Sequence, residues 1–108
     1  MSVFNEQRTS PRRPLKTRAV AVFTGVAPIT ARTIDVGGNG ISLSFDRQIP
    51  QGLECELSFD LFLDGQMKPV KTRSKVMHCV FSNGEYKVGF QFLNLELSAM
   101  TLLAKFLR

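Results

Sequence analysis

The chain has 108 residues, which is enough for one domain with a modest hydrophobic core. Its hydrophobic fraction of 44% is ordinary for a globular protein, which excludes disorder as the default state. No apolar run is long enough to cross a bilayer and the opening lacks an apolar signal-peptide segment, so we expect a cytoplasmic protein without membrane insertion.

The formal net charge of +5 is concentrated near the N-terminus. Residues 1–18 carry five basic groups and one acid, a balance of +4, whereas the remaining 90 residues carry nine basic and eight acidic groups. Residues 1–15 also contain two prolines and few apolar positions, so they cannot bury enough surface to hold themselves in place. We therefore predict a flexible basic arm over residues 1–15 and an ordered domain over residues 16–108. The positive charge of the arm favours binding to an anionic partner.

The domain shows the two-residue alternation that is typical of half-buried strands. Glycines, prolines and the turn dipeptides Asp64-Gly65 and Asn83-Gly84 separate the successive runs. The six predicted strands cover residues 18–23, 30–34, 41–45, 53–59, 70–76 and 86–92.

The last segment changes to helical periodicity. Its apolar residues recur at i, i+3, i+4 and i+7, and they are Ala99, Leu102, Leu103 and Phe106. We predict a helix over residues 97–107 with Ser98 as its N-cap. The polar stripe is narrow, so the excess apolar surface either covers an open end of a barrel or makes a homodimer contact. The elements together predict an all-β fold with one helix, a six-stranded antiparallel split β-barrel closed by a C-terminal α-helix.

The arm carries a cluster of arginines. Arg8 and Arg12 lie four residues apart, and Arg13 and Lys16 add positive potential beside them. A guanidinium binds a phosphate through two parallel hydrogen bonds and also stacks on a base. Two such groups on a flexible segment can close around a compact ligand that bears more than one phosphate. A solvated basic tail would have the same composition, so this motif alone does not establish a site.

A second motif follows the second predicted strand. Asp35 precedes Gly37, Gly38 and Gly40 in a predicted turn, and no other acid lies between residues 7 and 45. A carboxylate accepts hydrogen bonds from two adjacent donors, such as the N1–H and N2–H₂ groups of guanine. The glycines favour positive φ or a close approach of a ligand to the backbone. An aspartate that only caps its own turn is the alternative interpretation.

Enzyme chemistry is not indicated by the remaining residues. His78 is the only histidine, and it has no second histidine or paired carboxylate at metal-ligand spacing. Cys55 and Cys79 lie in strand-like runs without metal spacing, which favours free, partly buried thiols. We therefore predict a binding domain with neither a metal nor a cofactor.

Taken in this order, the two motifs resemble those of PilZ domains, which have the pattern RxxxR followed by [D/N]xSxxG. Arg8 and Arg12 match the first pattern, and the segment from Asp35 to Gly40 matches the second. The segment 84–92, with Gly89 before a Phe-Gln-Phe ending, is similar to the family's last strand. The resemblance covers nearly the whole chain, including the C-terminal helix.

This resemblance implies a bacterial receptor that binds cyclic di-GMP and relays the signal to a protein partner in motility, adhesion or biofilm formation. It implies that Arg8, Arg12 and Arg13 hold phosphates or stack on guanine, while Asp35, Gly37 and Gly40 receive a guanine edge. Gly37 replaces the family's serine, so one hydrogen bond of about 1 kcal/mol is missing. The alternatives are a PilZ-like adaptor that has lost the ligand and a weak nucleic-acid binder, which the lack of an aromatic stripe disfavours.

Overall fold

The structure is built from antiparallel strands and a C-terminal helix. A computed structural model describes residues 11–108. The strands are β1 (Arg12–Pro14), β2 (Arg18–Phe23), β3 (Ile29–Gly37), β4 (Gly40–Phe45), β5 (Glu54–Leu63), β6 (Gln66–Ser82) and β7 (Glu85–Phe92). The helix, α1, spans Leu97–Leu107, as the apolar periodicity predicts. No helix in this part of the chain has the length and apolar character that a membrane span requires.

Six of the strands form a closed ring, which confirms the predicted barrel. The order around it is β3, β2, β5, β6, β7 and β4, and β4 then pairs with β3. All these pairings are antiparallel. The residues that the sequence predicts to alternate do so, because one side chain in two points into the ring and is buried there. The ring therefore has a packed core and an outer wall that is free to carry polar side chains.

The seventh strand, β1, comes from the segment that the sequence assigns to the arm. It pairs antiparallel with the last three residues of β3, along the same edge of β3 that β2 occupies further on. Backbone hydrogen bonds to β3 continue through the segment between β1 and β2. The Leu15 amide donates to the Ile34 carbonyl (3.0 Å), and the Thr33 amide donates to the Thr17 carbonyl (2.9 Å). Residues 12–14 of the predicted flexible arm are thus paired to the sheet, and Leu15 is buried.

The β3–β4 hairpin differs from the predicted turn. We expected the strand to end before Asp35, but β3 continues to Gly37, and only Gly38 and Asn39 connect it to β4. The pairing register shifts between Thr33 and Asp35. Such a bulge inserts one extra residue on one strand and re-aims the side chains that follow it. The prediction of Asp35 as a turn residue was therefore wrong, since Asp35 lies on a strand opposite Ser42.

Helix α1 packs on β5 and β6 and buries Ala99, Leu103 and Phe106 against the ring. Ser98 is not the N-cap as predicted. Glu96 occupies that position, and its side chain makes no capping hydrogen bond. Leu97, at the start of the helix, is 76% exposed. The helix thus covers part of the core, which agrees with the first of its two expected roles, covering the barrel.

Candidate ligand-binding site

The pairing of β1 with β3 brings the two sequence motifs together. Arg12 lies opposite Gly37, and Pro14 lies opposite Asp35. Residues that face each other across an antiparallel pair project from the same side of the sheet. The register therefore places the Arg12 side chain on the outer wall of the ring, on the face that also carries Asp35.

Arg12 and Asp35 form an ion pair at this position. The Nη2 atom of Arg12 donates to Oδ1 of Asp35 at 2.7 Å, and the Ser42 hydroxyl is a further, longer partner at 3.5 Å. The two side chains are 42% and 36% exposed, so the pair is open to solvent and to a ligand. A guanidinium has five N–H donors and a carboxylate has two oxygens, so one shared hydrogen bond leaves both groups with unused capacity.

Gly37 faces the Arg12 side chain at close range. A Cβ atom added at Gly37 would lie 3.0 Å from Nη1 and 3.1 Å from Cγ of Arg12, and 3.2 Å from the Pro11 carbonyl oxygen. Neither Gly37 nor Gly38 adopts positive φ, so conformational freedom is not the reason for glycine at these two positions. The absence of a side chain at Gly37 instead lets the arm lie directly on β3.

Gly40 is required for packing between strands. A Cβ atom there would overlap the carbonyl oxygen of Phe90 on β7. Gly40 is buried, and its φ is not positive. This position therefore needs glycine because β4 and β7 approach each other closely, a constraint that acts on the fold beneath the site.

Arg13 does not point toward Arg12 and Asp35. It lies opposite Val36, so it projects from the other face of β1. Its Nη1 atom donates to the Phe106 carbonyl of α1 at 2.6 Å, and its guanidinium carbon lies 4.9 Å from the centre of the Phe106 ring. A cation at the C-terminal end of a helix is favourable because the unpaired carbonyls there carry partial negative charge. Arg13 thus connects β1 to the helix.

A row of outward positions continues from Asp35 around the ring. Asp35 is opposite Ser42 on β4, Ser42 is opposite Gly89 on β7, and Gly89 is opposite His78 on β6. The exposed His78 imidazole lies on Gly89, where any Cβ atom would overlap the ring. His78 thus has a packing contact outside the core. Sequence patterns did not indicate Ser42 as a site residue, since it appeared only as the polar member of an alternating strand.

Two buried threonines, Thr17 and Thr33, hold the chain where the arm meets the ring. The Thr33 hydroxyl accepts from the Thr17 amide (2.7 Å) and donates to the Leu15 carbonyl (2.7 Å), while the Thr17 hydroxyl donates to the Asp60 carbonyl (2.8 Å). These hydrogen bonds fix the link between β1 and β2, and so the position of Arg12. Sequence reasoning missed both, because a threonine in a strand has no feature that marks it as a buried anchor.

The remaining residues singled out in the sequence are Arg8 and the two cysteines. Arg8 lies outside the described residues. Both cysteines are free thiols, and burial raises the pKa of Cys55 to about 12, against a smaller opposite effect of the Arg73 charge. Within residues 11–108, no three histidine, cysteine or acidic side chains are grouped as a metal site would need.

The ring and the site define a small antiparallel barrel domain that carries its polar site on the outer wall, where its N-terminal strand pairs with β3. The chain belongs to the PilZ domain family, whose family model matches residues 6–108. No relative is found among curated proteins at a significant level of sequence similarity.

Solved structures of this family share the fold. The inhibitor of motility MotI (DgrA) from Bacillus subtilis superposes with a TM-score of 0.79 at 12% identity, over 89% of this chain and 47% of that one. YcgR from Escherichia coli in complex with c-di-GMP superposes with a TM-score of 0.77 at 13% identity, over 91% of this chain and 43% of that one. The separate PilZ domain of YcgR with c-di-GMP superposes with a TM-score of 0.68 at 14% identity, over 94% of this chain and 88% of that one. The chain therefore spans slightly less than half the length of MotI and of the longer YcgR structure.

Proposed function

We propose that this domain is a receptor for cyclic di-GMP and that Arg12 and Asp35 form the centre of its binding site. The observation that carries the proposal is the β1–β3 register, which places the RxxxR arginine opposite the second motif with an ion pair of 2.7 Å. Residues far apart in sequence thus meet at one open position. The c-di-GMP complex of YcgR, a protein of the same fold, supports the choice of ligand.

The proposed roles follow from the unused hydrogen-bonding capacity of the pair. Arg12 binds a phosphate through its free N–H groups, and Asp35 accepts the N1–H and N2–H₂ donors of guanine on its two oxygens, since Oδ1 keeps a second lone pair beside its contact with Arg12. Holding Arg12 through Oδ1, Asp35 orders the guanidinium before the ligand arrives, which lowers the entropy cost of binding. Arg8 completes the arginine pair from the preceding part of the arm.

The row beyond Asp35 offers a surface for the rest of the ligand. Ser42 supplies a hydroxyl beside Asp35, and Gly89 on the next strand lies under the His78 imidazole. The exposed imidazole of His78 presents a flat group at this place on which a purine can stack. We propose that the ligand lies along this row and that the arm, drawn onto it, presents a changed surface to a protein partner.

Calorimetric titration of cyclic di-GMP into the purified protein tests the proposal directly. We expect saturable binding that weakens as ionic strength rises, since charges that are about 40% exposed are screened over roughly 8–10 Å at physiological salt. GMP, which offers one guanine and one phosphate group, should bind much more weakly. Absence of binding at low salt would contradict the proposal and favour the adaptor without ligand.

Replacing Gly37 with serine should strengthen the binding. The backbone φ at Gly37 suits any residue, and the new hydroxyl restores the family's missing hydrogen-bonding group. Its Cβ would lie 3.0 Å from Nη1 and 3.1 Å from Cγ of Arg12, so the flexible Arg12 side chain must shift slightly to accommodate it. We expect affinity to rise several-fold to about tenfold, the equivalent of one net hydrogen bond.

Gly38→Ser is the matched control, because Gly38 is exposed and a Cβ there meets no atom within 4 Å. It adds the same hydroxyl one residue away and should leave the affinity unchanged. If Gly37→Ser instead binds more weakly and melts lower than Gly38→Ser, contact between the arm and β3 requires glycine, and the match to the second motif does not extend to its function.

A further inference from the structure

A second group of cations lies on the outer wall, away from the Arg12–Asp35 pair. Arg18 on β2 is directly opposite Arg32 on β3, Arg32 is opposite Ser44 on β4, and Ser44 is opposite Lys87 on β7. Lys16 precedes Arg18 by two residues, and both are exposed. We call Lys16, Arg18, Arg32 and Lys87 the basic cluster.

The pairing of Arg18 with Arg32 is unfavourable by itself. Like charges directly opposite each other on an antiparallel pair destabilise the sheet. The ion pairs among residues 11–108 are Arg12–Asp35, Arg47–Asp46 and Arg73–Glu54, and none of them includes a member of the basic cluster. In the part of the chain that the structure describes, the charges of this cluster have no carboxylate within ion-pair distance.

Three carboxylates lie near the basic cluster. Asp46 and Glu85 are engaged with other groups, and Asp60 lines a further groove with Arg18. Asp46 pairs with Arg47 at 2.9 Å, and Glu85 accepts a hydrogen bond from the Ser44 hydroxyl. Both line the grooves beside the cluster, so they reduce its potential in part. Four cations against three carboxylates still leave an excess of positive charge.

The wall is concave at this place. Arg18 and Arg32 line a groove of about 520 Å³ together with Thr30 and Ser44, and Lys16, Arg32 and Lys87 line an adjoining groove of about 290 Å³. The larger groove is in the volume range of small-molecule sites, and both grooves are open to solvent. Guanidinium groups match the geometry of a phosphate, and the Thr30 hydroxyl on the wall of the larger groove provides a further donor.

We propose that the basic cluster is a binding site for a phosphate group, either inorganic phosphate or the phosphate of a nucleotide. The anion lies between Arg18 and Arg32 and replaces their repulsion with two charge-assisted contacts. This site is separate from the Arg12–Asp35 pair and does not depend on the proposed function. The row of positions through the Arg12–Asp35 pair crosses β4 at Ser42, and the row through the basic cluster crosses it at Ser44. These serines are two residues, or about 7 Å, apart along the strand.

Thermal unfolding in sodium phosphate and in sodium chloride at equal ionic strength tests the proposal. We expect phosphate to raise the Tm of the unmodified protein by a few degrees above its value in chloride, because a ligand that binds only the folded state stabilises it. Arg32→Gln should melt higher than the unmodified protein in chloride, since it removes a like-charge pair, and should lose the gain from phosphate. Arg73→Gln, which removes an arginine from the Arg73–Glu54 pair on another strand, should keep the gain.

Arg18→Gln provides an independent variant and should behave like Arg32→Gln. An equal gain from phosphate in Arg32→Gln, Arg18→Gln and Arg73→Gln would overturn the proposal, because the effect would then come from the overall positive charge. A gain that Arg12→Ala abolishes and Arg32→Gln retains would also overturn it, by assigning the phosphate to the Arg12–Asp35 pair. Replacing phosphate with AMP distinguishes the sources, since a larger gain with AMP identifies a nucleotide and an equal gain identifies the phosphate alone.

Discussion

Arg12→Ala is expected to weaken cyclic di-GMP binding by about tenfold to a hundredfold while leaving the domain folded. A hydrogen bond to a charged group contributes roughly 1.5–3 kcal/mol, and Arg12 is the arginine of the first motif that lies beside Asp35. Stability should change little, because an exposed ion pair contributes at most about 1 kcal/mol. Calorimetry and thermal melts on the same preparation measure the two effects.

Arg47→Ala is the control for this substitution. Arg47 also forms an exposed ion pair, with Asp46 at 2.9 Å, and its loss changes the net charge by the same amount. It follows β4 at the end of that strand opposite to Gly40, away from the proposed site. We expect Arg47→Ala to retain the affinity of the unmodified protein. Equal losses in the two variants would show that only bulk charge matters, and unchanged affinity in Arg12→Ala would rule out the arm as the phosphate contact.

Gly40→Ala is expected to lower the free energy of unfolding by about 1–3 kcal/mol, the range for forcing an extra carbon into a packed region. The added methyl group would overlap the Phe90 carbonyl oxygen, which belongs to the backbone of β7 and cannot turn away. The β4–β7 pairing would have to separate locally. Chemical denaturation gives the change in unfolding free energy.

Gly38→Ala makes the same chemical change in the same hairpin, where a Cβ meets no atom within 4 Å and φ is not in the left-handed region. It should alter stability by less than about 0.5 kcal/mol, as is usual for surface substitutions. If Gly40→Ala is as stable as Gly38→Ala, the close approach of β4 and β7 is not a constraint on this position.

The amino-acid sequence by itself determined the elements that depend on local periodicity. Alternation in segments such as Ile41 to Phe45 and the i, i+3, i+4 spacing in α1 predicted six strands and a helix over residues 97–107, since side-chain burial follows the repeat of each element. The two motifs were also recognisable from residue types and spacing. Their proposed roles remain predictions for the experiments above.

Only the tertiary structure decided how the motif residues are used, because register and close approach depend on strands that are distant in sequence. The β1–β3 pairing sends Arg12 outward to Asp35 and Arg13 to the helix, although the two arginines are adjacent in the sequence and both were predicted to bind the ligand. Strand β3 continues through Asp35 to Gly37 because these residues stay paired with β4 and β1, where local turn signals predicted a turn. The need for glycine at Gly40 comes from the backbone of Phe90, fifty residues further along the chain, and no local pattern records such a contact.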